Sequence, residues 1–240
     1  FEIGHMGGFE VWGEDAAAFL DGLVSSSVGS LKDGESRYGL LCRGDGGILD
    51  DLFVYRLLPY SFLVVVNASN RAKDFAWFRE HSGGRRVSVR DASDETAMFA
   101  LQGPRALDLL RAAGTVENMP ARFHSARCVI SGRDCLAGRT GYTGEDGVEI
   151  FVPRDAAPGV WEKILSAGSG SGGGPGIEVG PVGLAARDSL RFEPAFALYG
   201  HELSENVTPV EAGLMWACDM TKPFTGRDAI AARKAEGPRE

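Results

Sequence analysis

The sequence has no run of Lys and Arg, no long apolar stretch and no C-x-x-C pair. The first absence, together with a net charge of −8, argues against a nucleic-acid partner. Phosphate recognition favours clustered basic side chains. The second argues against a membrane-spanning helix, which needs about 18 consecutive apolar residues. The four cysteines, Cys42, Cys128, Cys135 and Cys218, are too few and scattered for a disulfide framework. They read as free thiols of a reducing compartment. No G-x-S-x-G elbow and no Walker loop occurs, and no cysteine lies in a nucleophile motif. Of the four histidines only His124 has a neighbour at metal-ligand spacing, Cys128. That pair is two ligands where a zinc site takes about four. The first residue is Phe rather than Met, so the natural N-terminus is expected upstream.

What is present is glycine, 33 residues of 240, and short apolar segments of two periods. "FEVW" (Phe9–Trp12), "RYGLLC", "GILDDLFVYRLL", "FLVVVN", "VSVR", "TAMFALQ" and "VEIFV" read as strands. "GDGG" joins the second and third into a hairpin, and "RCVISG" with "CLAGRT" forms another. Ala16, Phe19, Leu20, Leu23 and Val24 recur at helical spacing after Asp15, a candidate cap. Ser69 or Asn70 is placed to cap a helix through His81 with Ala72, Phe75 and Phe78 facing inward. Pro104 is placed to open a helix through Leu110. Ala157, Val160, Trp161, Ile164 and Leu165 stripe another, and "GLAARDSLRF" (Gly183–Phe192) is one more. Strands and helices alternate irregularly, with hairpins, which predicts α+β with antiparallel sheets. Between them lies "GSGSGGGPG" (Gly168–Gly176), a connector. Its glycines do not follow a strand or open a helix, so a dinucleotide-binding reading fails. The expected organisation is 1–167, a connector 168–180, and 181–240.

Three segments carry polar residues where apolar ones are expected. In "GGILDDLFVYR" two adjacent acids sit inside a strand, so they point to opposite faces. Strict alternation groups Asp50 with Ile48, Leu52 and Val54, and Asp51 with Leu49, Phe53 and Tyr55. At least one carboxylate is then partly desolvated, which raises its pKa unless a partner holds it. Pairing with Arg43 or Arg56, and retention for a ligand, both explain it. In "GRTGYTGEDGVEIF" (Gly138–Phe151) glycines at 138, 141, 144 and 147 let the backbone approach a flat ligand. Tyr142 is a stacking candidate, and Glu149 suits bidentate recognition of an N–C–N edge such as an aminopyrimidine. The plain alternative is a hairpin with an acidic tip in water. In "AARDSLR" Arg187 and Arg191 share a helix face, as ion-paired surface residues or as a clamp for a ligand carboxylate or amide.

These segments, with "FEIGHMG", "VVNASN", "ALQGPRA", "LYGHEL" and "TPVEAGLMW", resemble the glycine cleavage system T-protein family over nearly the whole chain. The resemblance implies α+β modules around a central folate-binding cavity, and a tetrahydrofolate-dependent aminomethyltransferase. The donor it implies is lipoylated H-protein; the acceptor is tetrahydrofolate; no membrane or nucleic-acid partner is implied. It assigns the catalytic aspartate to Asp51 and pterin recognition to Glu149. It assigns folate contact to Arg187, and the pocket lining to Tyr142, Asn67, Tyr38 and Met6. No metal is implied. It also implies a compartment, the cytoplasm of a bacterium or the mitochondrial matrix. The family's C-terminal β domain is expected to be absent, because the sequence ends near "FTGRDAIAARKAEGPRE". Departures include Glu2 and Gly4 where the family reads Asp and Ser, and Pro194 where a small residue is commoner. Two other readings share the pocket. One is a folate-dependent transferase or demethylase with another carbon donor, as in sarcosine or dimethylglycine oxidases. The other is a non-catalytic folate-binding protein, whose KGCYxGQE-type segment is replaced here by "LYGHELSE", without the cysteine.

Overall fold

A computed structural model of the chain describes residues 1–168 and 176–238. The central glycines of the Gly168–Gly176 connector lie outside the described residues. The chain folds as two compact units, residues 6–92 with 197–240 and residues 1–5 with 93–196.

The unit of residues 6–92 opens with β1 (Gly7–Trp12) and α1 (Ala16–Leu23). A hairpin of β2 (Ser36–Cys42) and β3 (Ile48–Leu58) follows, then β4 (Ser61–Val66), α2 (Arg71–His81) and β5 (Ser88–Asp91). The strands form one antiparallel sheet in the order β2-β3-β4-β1-β5. Phe9, Val11, Leu52, Val54, Phe62, Val64 and Val66 bury one face against Phe19 and Leu20 of α1 and Phe78 of α2. Burying each such side chain stabilises by roughly 1.5–3 kcal/mol.

The expected helix caps are not used as caps. Asp15 leaves α1 uncapped and accepts the Arg86 backbone N–H at 2.8 Å. Asn70 makes no cap bond to α2; its amide donates to Asp50 Oδ1 at 2.5 Å, a buried acid being the stronger acceptor. Asp74 and Phe78 face inward, Phe75 is half-buried, and Ala72, expected inside, is exposed.

The second unit contains β6 (Thr96–Gln102), α3 (Ala106–Ala113), β7 (Gly114–Val116), β8 (Ser125–Ile130), β9 (Arg133–Gly138), β10 (Gly147–Pro153), α4 (Ala157–Gly168) and α5 (Leu184–Phe192). Its sheet is again antiparallel, in the order β6-β10-β9-β8-β7. The turn between β8 and β9 is Ser131-Gly132, both with positive φ (52° and 70°), as a two-residue hairpin requires. Leu109 and Leu110 of α3 and Val160 and Ile164 of α4 pack with Ala137, Val148 and Ile150.

Residues 197–238 belong with the first unit and end in α6 (Arg227–Glu236). Their Leu203, Leu214, Ala217, Phe224 and Ile230 cluster with Leu40, Cys42 and Ile48 of the sheet. Among the described residues no helix is long and apolar enough to cross a membrane. Helices and antiparallel sheets thus make the α+β class expected from the sequence.

Candidate functional site

β3 carries a bulge that decides where its acids go. Leu41 pairs with Asp50 but Cys42 pairs with Ile48, so Leu49 is the extra residue. The alternation is reset there. Leu49 packs with Leu41, Leu52 and Val54, while Ile48 packs with Leu40 and Cys42. Strict alternation had put Ile48 and Leu49 on the opposite faces. Downstream of the bulge the alternation holds, and Asp50 and Asp51 project from opposite sides of the strand.

Asp50 is fully buried and has three donors. The Asn67 backbone N–H reaches Oδ2 at 2.9 Å; the side-chain amides of Asn67 and Asn70 reach Oδ1 at 2.9 and 2.5 Å. The Asn67 amide also reaches Asp51 Oδ1 at 2.7 Å and the Asp51 carbonyl at 3.1 Å. Asn67 sits where β4 ends, which brings one side chain against both acids. Tyr38, directly across from Phe53 in the β2–β3 register, donates its hydroxyl to Asp51 Oδ2 at 3.1 Å. The Tyr38 ring is stacked on Trp216 (centroids 5.3 Å apart, 20° between planes) and meets the edge of Phe53 at 5.6 Å. Two aromatic contacts thus aim the hydroxyl.

Asp51 keeps part of its surface in solvent while protein packs around the rest. That burial, with the Asp50 charge behind it, lifts Asp51 from 3.8 to about 7, against the opposing bonds of Tyr38 and Asn67. A carboxyl poised near neutrality and still reachable is a functional-site feature. The expected ion pairs do not form: Arg43 pairs with Asp45 and Glu205, and Arg56 with Asp33.

In the second unit Glu149 lies mid-strand in β10, buried, opposite Gly138 on one side and Ala100 on the other. The carboxylate therefore has only small cross-strand neighbours. Thr140 donates its hydroxyl to Glu149 Oε2 at 2.5 Å. Tyr142 stacks on Phe196 (5.8 Å, 23°), and the Arg187 guanidinium lies 4.9 Å from the Tyr142 ring centroid. No acid is hydrogen-bonded to Arg187 among the described residues; burial pulls its pKa down, opposed by the charge of Glu149. Arg191, its helix-face mate, is buried and bonded instead to Asp188 and to the Phe196 carbonyl, at 3.0 Å each.

The glycines of this segment serve packing more than open space. A Cβ at Gly141 would meet Gln102 Oε1 at 2.0 Å, and one at Gly147 the Leu101 carbonyl oxygen at 2.5 Å. Gln102 bonds across the loop to the carbonyls of Thr140 and Val148. The acidic tip, Glu145 and Asp146, is exposed, with Asp146 taking two bonds from Arg139 at 2.9 and 2.7 Å.

Of the candidate residues, Asp51, Asn67 and Tyr38 are joined directly in one unit, and Glu149, Arg187 and Tyr142 cluster in the other. Met6 immediately precedes β1 and is half-buried. Sequence reasoning missed Asn70, Asp74, Thr140, Phe196 and Trp216. The first two had a legible signal, an Asn and an Asp four apart at the start of a helix after a buried strand.

A mostly buried acid of raised pKa, and an arginine with no acid partner among the described residues, stand on an α+β fold, and perturbed groups of this kind are candidate-site features. The particular family follows from comparison. The chain belongs to the GCVT N-terminal domain family, which matches residues 1–222. It is 42% identical over 240 residues to an aminomethyltransferase of Alkaliphilus oremlandii, covering 99% of this chain and 64% of that protein. It is similar to the crystal structure of glycine cleavage system aminomethyltransferase T from Bartonella henselae (TM-score 0.87, 35% identity), covering 99% of this chain and 63% of that one. The fold alone is shared with the heterotetrameric sarcosine oxidase of Corynebacterium sp. U-96 (TM-score 0.55, 16% identity, 76% of this chain and 86% of that one). The chain thus spans under two thirds of the length of its aminomethyltransferase relatives.

Proposed function

We propose that the chain carries the folate-handling and catalytic residues of a glycine cleavage aminomethyltransferase. In this reading an aminomethyl group arrives on the lipoyl arm of H-protein. Its carbon passes to tetrahydrofolate as 5,10-methylenetetrahydrofolate, and ammonia is released. The observation that carries it is the Asp51 carboxyl, mostly buried, lifted to about 7 and aimed by Tyr38 and Asn67. Similarity to aminomethyltransferases, one of them of the glycine cleavage system, supports the donor; the sarcosine oxidase likeness is of fold only and does not favour another donor.

The residues present fit the folate. Glu149 is an acceptor-only group when ionised, matched to the two N–H donors of an aminopyrimidine edge. Gly138 and Ala100 beside it leave the carboxylate without bulky cross-strand neighbours, and Thr140 fixes its orientation. Arg187, with no acid partner among the described residues, suits a ligand carboxylate or amide, with Tyr142 under it. Bound tetrahydrofolate supplies the nucleophilic nitrogens.

The chain's own contribution is electrostatic and positional. As the carbon–sulfur bond breaks, positive charge develops on the transferred carbon. An ionised Asp51 stabilises that charge, held to its place by the bonds of Tyr38 and Asn67. Positioning of the two substrates supplies much of the remaining acceleration. The test is calorimetric titration with tetrahydrofolate, followed by assay with aminomethylated H-protein. Binding and turnover are expected; binding without turnover leaves a folate-binding protein, and no binding removes the proposal.

A further inference from the structure

Asp74 is fully buried on the inward face of α2, and among the described residues no donor reaches either of its carboxyl oxygens. It faces acids. Asp50 lies directly beside it and Asp51 within electrostatic range, both on β3. The cations of its own helix are engaged elsewhere. Lys73 bonds the Tyr199 hydroxyl at 3.0 Å and Glu205 at 3.1 Å, and lies over the Tyr199 ring. Arg71 bonds Asp91 at 2.7 Å. The two neighbouring amides, Asn67 and Asn70, are spent on Asp50 and Asp51.

An ionised Asp74 would be a buried charge with no donor, set against another acid, an arrangement proteins avoid. A protonated carboxyl has one O–H to give. Asp50 has the vacancy: a carboxylate accepts about four bonds, and Asp50 has three.

We infer that Asp74 carries a proton and, through that O–H, donates a hydrogen bond to Asp50, completing the bonding of Asp50 and so positioning Asn67 and, through it, Asp51. Burial first, and then the Asp50 charge, lift Asp74 to about 10, so the proton stays through the neutral range. Asp74 is a positioning residue that acts through Asp50 and Asn67. Its effect on turnover rests on the role proposed for Asp51; its protonation does not.

The experiment separates the two. Carboxyl carbon resonances of the aspartate-labelled chain are followed by NMR across a pH titration. One resonance is expected to keep its protonated position above about pH 8, beyond Asp51, and to vanish in Asp74→Asn. If every aspartyl resonance completes its titration below that pH, or the late one survives the substitution, the proton assignment is wrong. Turnover then tests positioning. Asp74→Asn, which retains a donor toward Asp50, is expected to keep the wild-type kcat. Asp74→Ala is expected to lose about tenfold in kcat with folate KM little changed, the scale of one lost hydrogen bond. Equal loss in both variants, or none in Ala, overturns the positioning role. Should Asp74→Ala not fold, the resonance and the Asn variant still decide. A late resonance with no turnover in any protein counts against the role of Asp51 and leaves the proton in place.

Discussion

Asn67 holds Asp51 through its side-chain amide, Nδ2 to Oδ1 at 2.7 Å, and the same nitrogen reaches Asp50 Oδ1 at 2.9 Å. Two acids on opposite sides of one strand are thereby tied by a single side chain. Asn67→Ala removes the shared donor: Asp50 keeps the residue-67 backbone N–H on Oδ2 and the Asn70 amide on Oδ1 but loses its third bond, and Asp51 Oδ1 loses its amide donor. The expected cost is about 1–3 kcal/mol of stability, read from urea denaturation at constant m, with turnover reduced as well. An unchanged midpoint would show that the amide does not hold the acids.

Asp51 gives the protein a pH signature of known sign. Its folded pKa is raised from 3.8 to about 7, so the folded state favours the neutral acid. The stability this adds is full below 3.8 and is lost as pH rises through about 7. Wild type is therefore expected to lose stability relative to Asp51→Asn between about pH 4 and pH 8. Parallel denaturation curves for the two proteins over that range would contradict the shift.

Glu149→Ala is expected to weaken tetrahydrofolate binding by about 1–3 kcal/mol, the scale of a buried donor left unpaired in the complex. Calorimetry measures it directly. Folding should survive, because Thr140, which donates to the carboxylate, has a hydroxyl able to turn to other acceptors. Equal affinity in the two proteins would remove Glu149 from ligand recognition.

Arg187→Ala separates binding from stability. The guanidinium contributes a cation–π contact with Tyr142 but no ion pair among the described residues, so its loss should cost at most about 1 kcal/mol of stability. Folate affinity should fall clearly more than stability does. A large drop in melting temperature with folate affinity intact would make Arg187 a structural residue.

Much of this was legible in the sequence because period and punctuation are local. The two hairpins, the antiparallel α+β class and the helix after Gly183 follow from apolar spacing and turn residues. Asp50 and Asp51 drew notice because two acids inside an apolar strand violate its pattern. The bulge at Leu49 was not legible, since it depends on the register with Cys42 rather than on any local signal. Asn70 carried a capping signal that a buried acid overrode, and Asp74 was marked only by standing four residues beyond it, on the same helix face. The glycines at 141 and 147 suggested room for a ligand, whereas their neighbour is the Gln102 side chain. Contacts between residues far apart in sequence decided each of these cases.

The most direct test of the central claim is the single-turnover rate of methylenetetrahydrofolate formation from aminomethylated H-protein, at saturating tetrahydrofolate, as a function of pH. Wild type should show a rate that rises through about pH 7 as Asp51 ionises, and Asp51→Asn, correctly folded, should lose both the rise and nearly all of the rate. A variant that keeps near-normal turnover with the same pH dependence would show that Asp51 is not the acid on which the reaction depends.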